Sequence, residues 1–499
     1  MTSSPAPHPV FSQRRAGVLL HPTALPGSHG KLGDAARHFV DFLQQAGMTI
    51  WQTLPIGPTH PDLSPYQTLS AHAGNPGFID LVELVAPGLL RPEELAGGNR
   101  TELLAAAADR FLTDDYVPDS LINREAWEDF LFDHNPWLDD FSVFMAIRGQ
   151  NPEVAWTDWP EPLRRRDVSA LLAFRQQNRQ AIDRVKFEQF VFHCQWSSIR
   201  QYARERGVLL FGDIPIFVAH DSADVWANPE LFKLDAFGQP TVVAGVPPDY
   251  FSSDGQHWGN PLYDWQTMAT DGYQWWLQRL ASQWEKFDLL RIDHFRGLHA
   301  FWEIPASDPR PVNGYWVPGP GDDFLSACLQ QLPGLPLVAE NLGLIGEDVE
   351  QLRHRFGLPG MTVLQFGFDG SPENPHLLHN HQQDNLVYTG THDNDTTLGW
   401  YRSLDERTRG HVNRYLRIAD DSPELPWPIV QAAMQSVSKM VIVPLQDLLG
   451  LGSGARFNTP GTTRGNWQWQ LAANAGELSD ILRVREMVEL YGRRPNIDQ

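Results

Sequence analysis

The stretch "LLRIDHFRG", Leu289 to Gly297, sets the fold. Apolar Leu289, Leu290, Ile292 and Phe295 flank or interrupt Arg291, Asp293, His294 and Arg296, the pattern of a buried strand with charge at its carboxyl end. Side chains alternate along a strand, so Arg291 and Asp293, two positions apart, share a face. Buried charge needs a partner or a chemical use. An arginine beside an aspartate lowers the pKa of the carboxyl and keeps it ionised, which suits a nucleophile or an electrostatic stabiliser.

Seven other apolar runs end in the same way, in a polar or Pro/Gly-containing turn. They are "AGVLLHP" (16–22), "MTIWQTLPIGP" (48–58), "GVLLFGDIPIFV" (207–218), "LPLVAENLG" (335–343), "MTVLQFGF" (361–368), "NLVYTGTHDND" (385–395) and "KMVIVPLQDLLG" (439–450). The runs are nearly continuous in Val, Ile and Leu, as in parallel strands covered on both faces. Segments of helical spacing such as "GDAARHFVDFLQQAG" (33–47) and "GYQWWLQRLASQWEKF" (272–287) lie between them. Eight βα units predict an α/β fold, a closed (β/α)8 TIM barrel with large helical insertions and no separate C-terminal β-domain. An open doubly wound sheet is the alternative, but no Gly-rich phosphate turn follows the first strand.

The spacing divides the chain. Residues 1–499 are expected to form one catalytic barrel, with 59–206 as inserted, mainly helical subdomains and the Gly-, Pro- and aromatic-rich 245–265 as a loop over the mouth. With 42% apolar and 20% charged residues, disordered and fibrous classes are excluded. The formal charge of -22 argues against nucleic-acid or anionic-membrane partners. Cys194 and Cys328 predict free thiols in a reducing compartment. The apolar run Ala16 to Leu20 is too short for a signal segment, and no run approaches the roughly 20 residues of a membrane helix. A cytoplasmic location is therefore expected.

Four carboxylates fall late in these strands: Asp213, Asp293, Glu340 and Asp393. The C-terminal strand ends of such barrels hold the active site, so the four together point to chemistry, although any one alone could cap a helix. Asp293 and Glu340 lie on consecutive strands, about 4.8 Å apart in a parallel barrel. Carboxyl groups about 5 Å apart suit double displacement at an anomeric carbon, one attacking while the other protonates the leaving oxygen. Glu340 follows apolar "LPLVA", and desolvation there would raise its pKa as a general acid requires. The rival use of clustered acids and histidine is a metal centre. The inward Arg291 opposes a cation, so neither metal nor cofactor is assigned. Among 18 tryptophans, Trp226 and Trp258 fall in expected mouth loops, with Tyr66, Tyr250 and Phe251 as further candidates for stacking on sugar rings.

The motifs "GDIPIFVAHDSADVW" (212–226), "RIDHFRG" (291–297), "AENLG" (339–343) and "GTHDNDT" (390–396) resemble signature regions of the amylomaltases, the 4-α-glucanotransferases of the α-amylase clan. "SPYQTLSAHAGNP" (64–76), "GVPPDYFSSDGQHWGNPLY" (245–263) and "RFNTPGTTRGNWQW" (456–469) extend the resemblance over most of the chain. The turn before "SPYQ" departs from it, with His60 and Pro61 where relatives commonly carry Gly-Tyr. The resemblance implies Asp293 as nucleophile, Glu340 as general acid/base and Asp393 as transition-state stabiliser. It places Asp213, Arg291, His392, Tyr66, Tyr250, Trp258 and Asn458 in substrate binding. It implies transfer of a segment of an α-1,4-glucan to the 4-hydroxyl of glucose or another glucan, intramolecular cyclisation included. An α-glucan hydrolase, a non-catalytic glycan-binding protein and a metal-dependent sugar isomerase are the alternatives.

Overall fold

The computed structural model describes residues 8–113, 120–248, 254–419, 422–472 and 481–495. Among the described residues there are twelve strands: β1 Arg15–Leu19, β2 Ile50–Gln52, β3 Leu209–Ile214, β4 Val242–Val246, β5 Gln256–Pro261, β6 Leu289–Ile292, β7 Ala300–Pro305, β8 Tyr315–Pro318, β9 Leu337–Ala339, β10 Gly360–Val363, β11 Asn385–Tyr388 and β12 Met440–Pro444. Eight of them form one parallel sheet in the order β10-β11-β12-β1-β2-β3-β6-β9. The Ala339 N–H, at the end of β9, donates to the Pro359 carbonyl just before β10 at 2.8 Å, which closes the sheet into a barrel. All eight runs seen in the sequence supply one strand each.

Val18, Ile50, Leu210, Ile292, Val338, Val363, Val387 and Ile442 are all buried along these strands. Burial on both faces explains why the runs do not alternate. The strands are shorter than the runs. β2 stops at Gln52, and Pro55 and Pro58, which have no N–H to give a ladder, follow in open chain. Helix Asp34–Gln45 turns Ala36, Phe39, Val40 and Leu43 inward at helical spacing.

Between β2 and β3 run helices Arg100–Phe111, Arg124–Gln150 and Arg179–Glu205, the last two 27 residues each. The stretch 245–265 is not loop throughout. It contributes the end of β4 and the whole of β5, paired antiparallel, in a second sheet of order β5-β4-β7-β8. The pairing of β4 with β7 spans more than fifty intervening residues, a separation that leaves no local pattern in the sequence. Trp226 is not a mouth residue either. It is fully buried, its indole N–H donating to the Leu163 carbonyl at 3.0 Å and its ring under the Arg166 guanidinium. Among the described residues no helix is long and apolar enough to cross a membrane.

Gly17 shows how tightly the barrel closes. A Cβ there would lie 2.5 Å from the Ile50 Cβ and 2.6 Å from the Ile50 carbonyl oxygen on the neighbouring strand. Gly17→Ala is expected to cost about 1–3 kcal/mol, measured as a lower denaturant midpoint at unchanged slope.

Candidate active site

Four of the functional side chains are delivered by strand ends. Asp213 lies within β3, Arg291 within β6, Asp293 one residue beyond β6 and Glu340 one residue beyond β9. The backbone keeps these ends in step. The Asp293 N–H donates to the Ile214 carbonyl at 2.9 Å, and the Glu340 N–H to the Ile292 carbonyl at 3.0 Å.

Arg291 is the hub. Its Nε donates to Asp213 Oδ1 at 2.8 Å and its Nη2 to Asp213 Oδ2 at 2.6 Å, a bidentate fork. The same Nη2 reaches Asp293 Oδ1 at 2.8 Å and the Tyr66 hydroxyl at 3.3 Å. Tyr66 in turn donates to Asp213 Oδ2 at 2.6 Å. Arg291 and Asp213 are buried, whereas 31% of the Asp293 side chain stays open to the groove. Burial works against the charge on Arg291, but Asp213 and Asp293 outweigh it and hold the guanidinium ionised. Burial likewise raises the Tyr66 phenol well above its ordinary value, so Tyr66 stays a donor.

Arg291 draws the Asp293 carboxyl towards ionisation, as its place two residues away on the strand predicts, but it is not the largest influence there. Loss of solvent pushes Asp293 up, opposed by Arg291 and reinforced by Asp213, Glu340 and Asp393. The guanidinium is already shared with Asp213, which is why its pull does not prevail. Glu340 is also raised, by burial, as its apolar approach predicts. Two backbone amides fix its carboxyl: the His294 N–H at 2.7 Å on Oε2 and the Leu342 N–H at 2.7 Å on Oε1. His294 takes a positive φ of 53° where it presents that N–H, a conformation a non-glycine residue rarely adopts.

Asp393 comes from the turn after β11, with its side chain exposed at 47%. Asn458 Nδ2 donates to its Oδ1 at 2.6 Å, and Arg456 Nη2 to its backbone carbonyl at 2.7 Å. His392 Nε2 lies 3.4 Å from Asp393 Oδ2. Burial lowers the His392 pKa, so the ring is neutral near pH 7. It stacks on Tyr66 at 5.2 Å between centroids and leans on Trp467 at 6.1 Å. Trp258 is half-buried, edge-on to His294 at 4.8 Å. Tyr250 and Phe251 lie outside the described residues.

Sequence reasoning missed three parts of this assembly. The amides of His294 and Leu342 carry no side-chain signal. Trp467 is one of 18 tryptophans, and residue type alone does not separate it from those that only pack. Buried Asp447, following β12, accepts from Thr389 Oγ1 and Thr397 Oγ1 at 2.6 Å each and from the Thr397 N–H at 2.7 Å, and so clamps both ends of the turn that carries His392 and Asp393.

A family profile described as 4-alpha-glucanotransferase matches residues 20–475. The chain belongs to the 4-alpha-glucanotransferase family. It is 46% identical to the 4-alpha-glucanotransferase of Thermus thermophilus over 96% of this chain and 99% of that one. It is 42% identical to the chloroplastic/amyloplastic 4-alpha-glucanotransferase of Solanum tuberosum, over 96% of this chain and 87% of that one. Among solved structures it resembles the amylomaltase from Streptococcus agalactiae in complex with acarbose, with a TM-score of 0.91, 34% identity, and coverage of 96% and 100% of the two chains. The activity is therefore 4-alpha-glucanotransfer on an α-1,4-glucan, an enzyme on an α-amylase-clan barrel.

The fork from Arg291 to Asp213 demands a planar guanidinium. Arg291→Lys keeps the charge but not the geometry, and is expected to lower kcat/KM for glucan transfer by about 100-fold or more, with near-native circular dichroism.

Proposed function

We propose that the chain runs glucan transfer as a retaining double displacement, with Asp293 as nucleophile and Glu340 as general acid and then general base. The observation that supports this most is the asymmetry of the two carboxyls. Arg291 donates directly to Asp293 Oδ1 at 2.8 Å, while Glu340 is buried and held, among the described residues, by backbone amides. The two titrate as a pair, both raised by burial, and the productive form is the one with the negative charge on Asp293 against Arg291 and the proton on Glu340. Oδ2 of Asp293 then attacks the anomeric carbon as Glu340 gives its proton to the departing glycosidic oxygen. The released glucan leaves with its new 4-hydroxyl. An incoming 4-hydroxyl, from glucose or another α-1,4-glucan, loses its proton to Glu340 as it displaces Asp293. When that hydroxyl belongs to the bound glucan itself, the product is a ring.

Asp393 supplies negative charge beside the oxocarbenium-like transition state, and Asn458 keeps it aimed. Asp213, Tyr66 and His392 form the wall of the donor subsite. Trp258 and Trp467 offer flat faces for the sugar rings that extend from it. Tyr250 completes the proposed binding set.

Substrate choice is tested with maltotriose as the sole carbohydrate. Glucose together with oligosaccharides longer than the substrate is expected. Glucose and maltose alone would assign the chain to hydrolysis instead. The pH profile tests the roles. Asp293 must be ionised, so the lower value of the coupled pair sets the acid limb of kcat/KM. Glu340 must hold its proton, so activity falls as pH rises through the pair's upper value. Glu340→Gln is expected to remove the alkaline limb and to slow transfer by about 10²–10⁴-fold.

A further inference from the structure

We infer that His134, His193 and Glu285 form a binding site for one divalent transition-metal ion of the zinc class, remote from the glucan groove. Each of the three comes from a different helix: Arg124–Gln150, Arg179–Glu205 and Gln274–Lys286. Among the described residues, theirs is the grouping of three histidine, cysteine or carboxylate groups whose ligand atoms all lie within 4.8 Å of one another. His134 Nε2 is 3.4 Å from Glu285 Oε1, and His193 Nδ1 is 3.5 Å from the same oxygen. Two donors each about 2.0–2.2 Å from a tetrahedral ion stand on the order of 3.4 Å apart, so both edges already have the needed length.

The donor chemistry fits the same ion. Two imidazoles and one carboxylate suit zinc, cobalt or nickel and leave a fourth position for water. Phe130 packs against both rings, at 4.6 Å from His134 and 5.3 Å from His193, and so restricts their rotation. Lys286 is the opposing charge nearby, but its ammonium is turned to the carbonyls of His72 at 2.7 Å and Ser282 at 3.0 Å. Asp133 adds a negative charge near His193, and the net charge of -22 favours cations throughout.

Position gives the site its consequence. Glu285 lies at the end of the helix that leads into β6, at the amino end of that strand and thus opposite Asp293. An ion there ties two long helices to the barrel wall without touching the chemistry. It acts as a structural cross-link.

The test uses the full chain after EDTA treatment, titrated with Co2+. Visible d–d absorption saturating at one equivalent and displaced by Zn2+ is expected, with a higher thermal midpoint and unchanged transfer from maltotriose. His193→Ala and His134→Ala, each checked for fold by transfer activity, should each weaken Co2+ binding at least about 100-fold. In the unmodified chain, Zn2+ should protect His134 and His193 from acylation by diethyl pyrocarbonate, read by peptide mass. Absence of the absorption bands, undiminished binding in both variants, or unprotected histidines would each overturn the site.

Discussion

One guanidinium holds the active site in register. Arg291 forks onto Asp213 with one edge and reaches Asp293 and Tyr66 with the same Nη2, so two segments far from it in the chain converge on the strand end that carries it. A buried arginine without such partners would be costly, and the carboxylates without it would repel one another. The barrel brings them together because β3 and β6 are neighbours in register, with Asp213 opposite Arg291. The strand ladder therefore sets the chemistry. A slip of one residue would turn Arg291 and Asp293 outward together.

The remaining supports are less visible but follow the same logic. Glu340 is held by amides, one of them from His294 in a left-handed conformation next to Asp293, so the acid and the nucleophile are braced by a single turn of chain. Asp393 is exposed and needs a different brace, which Asn458 and Arg456 supply from one side and Asp447 supplies beneath the turn. Rigid strands carry the covalent steps, and a clamped turn carries the electrostatic one.

How much of this was legible in the sequence depended on the range of the signal. Eight continuous runs of Val, Ile and Leu identified the parallel strands, because burial on both faces leaves a mark in every residue. The carboxylates were legible as well, since their place at strand ends follows from the runs. The β5-β4-β7-β8 sheet was not, because its strands carry Gly or Pro and β4 pairs with β7 across more than fifty residues. Trp226 looked like a mouth aromatic and is a core residue, since composition cannot distinguish a stacking platform from packing. The sign of the Asp293 shift was also beyond the sequence. It depends on how one guanidinium is divided between two carboxylates, and that division exists only in three dimensions.

The central claim is that Asp293 carries the glycosyl group while Glu340 handles the proton. It is tested most directly by giving Glu340→Gln an α-maltotriosyl fluoride, whose leaving group needs no acid, and digesting the quenched protein for mass spectrometry. The account predicts a maltotriosyl adduct on the peptide spanning Leu289 to Gly297, located at Asp293. An adduct on another residue, or rapid turnover without any adduct, would contradict it.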